Sequence, residues 1–97
     1  MKAIMIVYNQ ALTERVGELL DEVQVRGFTK WEDVKGRGSK TGDPHMGTHT
    51  WPALNSAILS VVDEDTAAKL LRGVEKINET AQAQGIRAFQ WNIGQVV

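Results

Sequence analysis

Residues 3–8 read Ala3-Ile4-Met5-Ile6-Val7-Tyr8, an apolar run with no polar side. Ala3, Met5 and Val7 alternate with Ile4, Ile6 and Tyr8, so a strand built from this run is apolar on both faces, as a central strand covered on two sides is. Residues 55–62, NSAILSVV, repeat the pattern, with Ala57, Leu59 and Val61 set against Ile58 and Val62. These two runs anchor the fold, and the remaining elements follow outward from them.

After the first run, Asn9 is placed to cap a helix. Leu12, Val16, Leu19, Leu20 and Val23 then recur at spacings of three and four, with Glu14, Arg15, Glu18, Asp21 and Glu22 on the other side. This predicts an amphipathic helix over Gln10 to Val25, stopped by Gly27. Phe28 to Lys35 reads as a strand whose larger apolar members, Phe28, Trp31 and Val34, do not alternate strictly, which predicts a bulge or a twisted edge. Beyond Val62, the acidic turn Asp63-Glu64-Asp65-Thr66 suits the positive end of a helix. Ala67, Leu70, Leu71, Val74, Ile77 and Ala81 carry that helix toward Gly85, which is expected to end it. Ile86 to Ile93 is the last strand, with Arg87, Phe89, Trp91 and Ile93 on one face.

The order is therefore βαββαβ. It predicts an α+β fold, a ferredoxin-like sandwich in which an antiparallel sheet carries two helices on one face. One domain covers residues 1–97. With helices on one side only, the second apolar face of the central strands would be a patch larger than monomers ordinarily expose. The economical cover is another copy of the chain, so a homo-oligomer packed sheet to sheet is expected.

Composition narrows the function classes. A net charge of −1 with interspersed signs lacks the clustered basic face that nucleic acid requires. The longest apolar run is too short to span a bilayer, so no membrane insertion is expected. Met1-Lys2-Ala3 does not open a secretory signal, and cytoplasmic residence is the expectation. No cysteine is present, which removes disulfides, thiolate metal sites and thiol nucleophiles. No serine, histidine and acid stand in a recognisable catalytic arrangement, and the reading is that of a non-enzyme.

Chemistry concentrates in residues 27–52, GFTKWEDVKGRGSKTGDPHMGTHTWP, which hold five of the nine glycines, both prolines and both histidines. No Gly-Lys-Ser/Thr ending or following helix is present, so this is not a Walker phosphate loop. Gly36 and Gly38 fit either a strand bending into a loop or a strand end bordering a ligand cleft. Asp43, His45 and His49 are the metal-capable residues. They read either as solvated loop side chains or as ligands for a divalent metal, three copies of which an oligomer could gather. Trp31, Trp51 and Trp91 read as packing or interface residues.

At Val34-Lys35-Gly36-Arg37-Gly38, preceded by Gly27-Phe28-Thr29, the chain resembles the PII signal-transduction superfamily, which includes the CutA proteins. The element order extends that resemblance over essentially the whole chain. It implies a homotrimer with clefts between subunits, and a mobile T-loop, here about residues 37–55, that touches a partner protein. PII proteins bind adenine nucleotides and 2-oxoglutarate in those clefts, whereas CutA proteins are associated with divalent metals. Carried onto this sequence, the cleft residues are Thr29, Lys35, Gly36, Arg37 and Gly38, with Arg87 adding a charge.

The sequence also departs from the family pattern. The glycine- and lysine-rich loop before the last strand is replaced by Ala81-Gln82-Ala83-Gln84-Gly85-Ile86-Arg87, and the family's C-terminal arginines are not found before Val97. The loop is shorter and lacks the tyrosine that other members have modified. These departures argue against a triphosphate. They leave two expectations: a PII-like sensor of a small ligand, or a CutA-like metal binder using Asp43, His45 and His49.

Overall fold

The computed structural model describes residues 1–38 and 42–97. Its elements are β1 (Lys2–Asn9), a single 3-10 turn (Gln10–Leu12), α1 (Thr13–Val23), β2 (Thr29–Val34), β3 (Asn55–Val62), α2 (Glu64–Thr80) and β4 (Ile86–Asn92). The strands form one antiparallel sheet in the order β2-β3-β1-β4. This is the α+β ferredoxin-like arrangement expected from the sequence. Among the described residues, no helix is long and apolar enough to cross a membrane.

The two-sided pattern of the central strands is realised in the register. Ile4, Ile6 and Tyr8 face the helices and are fully buried with Ile58 and Ile86. Val16, Leu19 and Leu20 of α1 and Ala67, Leu70, Val74 and Ile77 of α2 close over them. On the opposite face Ala3, Met5 and Val7 stand level with Val61, Leu59 and Ala57 of β3 and with Trp91, Phe89 and Arg87 of β4. Thr29 and Trp31 extend this face onto β2. None of the chain's own helices covers it, and Trp31, Phe89 and Trp91 are 45%, 50% and 45% exposed. Trp91 is therefore not a core residue of the single chain.

Local boundaries follow from caps. The Asn9 side chain accepts a hydrogen bond from the Ala11 amide at 2.9 Å, opening the 3-10 turn from which α1 continues. That helix does not run to Gly27. It ends at Val23, because Gln24 adopts a left-handed conformation (φ 66°) and the Val25 amide bonds back to the Leu20 carbonyl at 2.8 Å. Burial of Val25 beside the helix end supplies the apolar contact that accompanies such a stop. Asp63 caps α2 by accepting from the Thr66 amide at 2.7 Å. α2 ends at Thr80, and Gly85 lies in the following turn at φ 90°.

The expected irregularity of β2 is a register shift between Trp31 and Val34. Asp33 sits inside it at φ 58°, a conformation that aspartate tolerates better than most residues. Its carboxylate accepts from Gln10 Nε2 at 2.9 Å.

Candidate functional site

β2 and β3 are joined by residues 35–54, and the root of this connection is tied at one point. Gly36 and His45 exchange backbone hydrogen bonds, Gly36 N–H to the His45 carbonyl at 2.8 Å and His45 N–H to the Gly36 carbonyl at 2.6 Å. His45 Nδ1 lies 2.5 Å from Asn55 Oδ1, at the first residue of β3. Glycine at position 36 has a spatial reason: a Cβ there would come within 3.1 Å of Asn55 Nδ2. Gln10, whose amide bonds the Leu54 carbonyl at 2.9 Å, holds the end of the connection against the 3-10 turn.

The sequence reading expects a mobile segment over residues 37–55. Ser39, Lys40 and Thr41 within it lie outside the described residues. Residues 47–53 form a hydrogen-bonded turn of their own. Gly47 N–H donates to the Ala53 carbonyl at 3.1 Å, Thr48 N–H to the Trp51 carbonyl at 2.9 Å, and Trp51 N–H to Thr48 Oγ1 at 3.0 Å. Gly47 needs its positive φ of 65° there, and any Cβ would meet Leu54 at 2.8 Å.

A cleft of about 430 Å³ opens where the root of this connection meets the turn between α2 and β4. Its floor is Val7, Arg87 and Phe89, neighbours on the uncovered face of the sheet. One wall is Lys35, Gly36, Arg37 and Gly38, continued by Asp43 and His45. The other wall is Asn78 at the end of α2 with Gln82, Gln84 and Gly85 of the following turn. Arg37 Nε donates to the Gly42 carbonyl at 3.3 Å, which holds the guanidinium along the cleft wall. The described lining thus carries the cations Lys35, Arg37 and Arg87 against one carboxylate, Asp43. Cations and glycine backbone in a concave setting suit an anionic small molecule.

Five of the six residues expected at a ligand cleft, Lys35, Gly36, Arg37, Gly38 and Arg87, line this one. Thr29 does not. It lies at the opposite end of β2, paired with Leu59, roughly 20 Å along the strand from Lys35 at about 3.3 Å per residue. Of the metal candidates, Asp43 and His45 line the cleft, whereas His49 sits in the 47–53 turn outside it. Among the described residues of the single chain, no three histidine or acidic side chains gather as a metal site.

Asn55, Asn78, Gln82, Gln84 and Phe89 line the cleft without having been expected there. Phe89 could have been found from its two-residue spacing to Arg87. The amides come together only through the fold.

The whole chain, residues 1–97, matches the family profile described as Nitrogen regulatory protein P-II. Among curated proteins none matches significantly. Among solved structures, the chain is similar to CPII of Thiomonas intermedia, a nitrogen regulatory PII-like protein bound to ADP, AMP and bicarbonate. The TM-score is 0.71 and the identity 23%, covering 97% of this chain and 88% of that one. It is also similar to a PII-like signalling protein of Thermus thermophilus, with a TM-score of 0.67 and 22% identity over 95% of this chain and 85% of that one. The apo form of CPII aligns with a TM-score of 0.61 and 22% identity over 98% and 92% of the two chains.

Proposed function

Because the chain belongs to the nitrogen regulatory protein P-II family, we propose that it works as a homotrimeric, cytoplasmic sensor. It binds a small anionic ligand in clefts between subunits and reports the bound state to a partner protein through residues 37–55. It is a regulator and not an enzyme, in keeping with the family's regulatory description.

The single observation that carries this reading is the cleft. Lys35, Gly36, Arg37 and Gly38 meet Arg87 at the root of the connection, on the margin of a sheet face that the chain leaves uncovered. Subunits closing over Met5, Leu59 and Phe89 would bury that apolar face and put the cleft beside the seam. A ligand held by Lys35 and Arg37 then touches the base of the segment, and ordering that segment is the means of signalling. CPII, which shares the fold, is bound to ADP, AMP and bicarbonate. These compounds define the first ligands to try.

The test has two parts. Native mass spectrometry is expected to give about three times the chain's 10.7 kDa. Thermal denaturation with ADP, AMP, bicarbonate or 2-oxoglutarate is expected to show a raised midpoint for at least one of them, because a ligand specific for the folded state stabilises it. That rise should be lost in Arg87→Ala. A single-chain mass, or no response to any of these anions, overturns the reading.

A further inference from the structure

Three segments of the chain are tied to the end of β1. The Asn9 amide donates to the Gly85 carbonyl at 3.1 Å, in the turn before β4. The Gln10 amide donates to the Leu54 carbonyl at 2.9 Å, at the foot of β3. The Gln10 side chain reaches β2, where its Nε2 donates to Asp33 Oδ1 at 2.9 Å, and the same nitrogen lies 3.5 Å from the Asn55 carbonyl. Every one of these contacts is made within one chain.

Both ends of the Gln10–Asp33 bond stand in uncommon backbone. Asp33 sits in the β2 bulge at φ 58°, a region that residues other than glycine keep only where their surroundings hold them. Gln10 opens the 3-10 turn Gln10–Leu12, although the local sequence suits an α-helix that begins at Gln10 under an Asn9 cap. In the turn, the Thr13 amide bonds the Gln10 carbonyl, and Leu12 at φ −95° and ψ 7° breaks the run into α1. An α-helix through the same residues would give that carbonyl to the Glu14 amide instead. Conversion would turn Gln10 by roughly 60° about the helix axis and shorten the segment by about 1.5 Å. That displacement exceeds the range over which a hydrogen bond holds. The grip on Asp33 and an α-helical start to α1 therefore exclude each other.

We infer that residues 10–12 form a two-state switch between the root of the β2–β3 connection and the helix layer. While Gln10 holds Asp33, the segment stays a 3-10 turn. When the hold is lost, the segment joins α1 as a further α-helical turn, and the bulge loses the partner that fixes it. Short 3-10 stretches beside α-helices serve as hinges of this kind. Gly36, three residues beyond Asp33, pairs with His45, so the bulge and the root of the connection move together. The state of the root is thereby carried to Ala11, Thr13 and Glu14, which are exposed on the helix layer. This goes beyond the proposed role, because it gives α1 a share in reporting a change that the connection alone would otherwise report.

The experiment needs no ligand, so the sensor role stands or falls separately. Scalar couplings across hydrogen bonds, measured by NMR on the intact deuterated protein, read which amide bonds the Gln10 carbonyl. The unaltered protein is expected to show the Thr13 amide. Gln10→Ala removes the donor, and Asp33→Gly removes the acceptor while tolerating the positive φ. Both are expected to show the Glu14 amide, with exchange of the Gly36 and His45 amides about fivefold faster. Asp33→Asn keeps an acceptor oxygen and tolerates the same φ, and it is expected to retain the 3-10 pattern. Thr13 still bonded in either releasing variant, Glu14 bonded in Asp33→Asn, or unchanged exchange at Gly36 and His45 overturns the inference. Unfolding of both releasing variants overturns it as well, since the switch requires a second folded state.

Discussion

His45 holds Asn55 through its ring while its backbone exchanges two hydrogen bonds with Gly36, so one residue fastens the β2–β3 connection to both strands it joins. The backbone pair survives truncation of the side chain, but the contact to Asn55 does not. His45→Ala is therefore expected to weaken the root without unfolding the protein. One side-chain hydrogen bond is worth about 1 kcal/mol, close to a tenfold change in local opening. Amide exchange at Gly36 and His45 should accelerate by about that factor, while exchange in β1 stays unchanged. Uniform acceleration across the sheet would contradict a local role.

The two helical glycines should respond in opposite directions. Gly17 in α1 has open space where a Cβ would go, so Gly17→Ala is expected to stabilise by about 0.5–1 kcal/mol through helix propensity. Gly73 in α2 faces Leu19, whose nearest methyl would lie 2.2 Å from a new Cβ. Gly73→Ala gains the same propensity but overpacks the contact between the helices at a cost of about 1–3 kcal/mol, so a net loss is expected. Urea denaturation of the two variants checks both signs.

Asp63 gives stability a dependence on acid. The hydrogen bonds that Thr66 donates to its carboxylate hold its pKa below the ordinary 3.8. A depressed carboxylate stabilises the fold above its unfolded pKa, and that contribution disappears as pH falls through 3.8 toward the folded value. Asp63→Asn retains a cap acceptor and loses the ionisation. Its thermal midpoint is expected to fall less steeply than that of the unaltered protein across the acid range. Parallel curves would show that the cap carries no proton linkage.

The uncovered sheet face should govern assembly. Leu59 stands level with Met5 on that face, away from the helices. Leu59→Lys is expected to reduce the native mass to that of one chain and leave the far-ultraviolet circular dichroism intact. The fluorescence of Trp31 and Trp91, half exposed on the single chain, should shift to the red on dissociation. A variant that keeps the full mass would place the contact elsewhere.

The sheet was legible because Ile4, Ile6 and Tyr8 alternate with Ala3, Met5 and Val7, a period that only a two-sided strand explains. The end of α1 was not, because Gly27 is the conspicuous stop in the sequence while Gln24 is the residue that turns left-handed. Docking of Val25 into the core decides that end, and no local preference announces it. In the cleft, Lys35, Gly36, Arg37 and Gly38 were readable as one contiguous segment. Gln82 and Gln84 were not, because their place opposite that segment depends on β4 lying beside β1 at the sheet's edge. Thr29 was assigned through resemblance alone, and within one chain the length of β2 sets it apart from Lys35, on the uncovered sheet face beside Leu59.

The Gly36–His45 pair and the hydrogen bonds within residues 47–53 hang a closed loop from a fixed root. Trp51, 39% exposed, is carried near its far end. If residues 37–55 meet a partner as proposed, a grip on that indole reaches the joint at Gly36 through the same few hydrogen bonds. On the proposed role, docking there would alter how firmly the ligand is kept, just as the ligand would alter the docking.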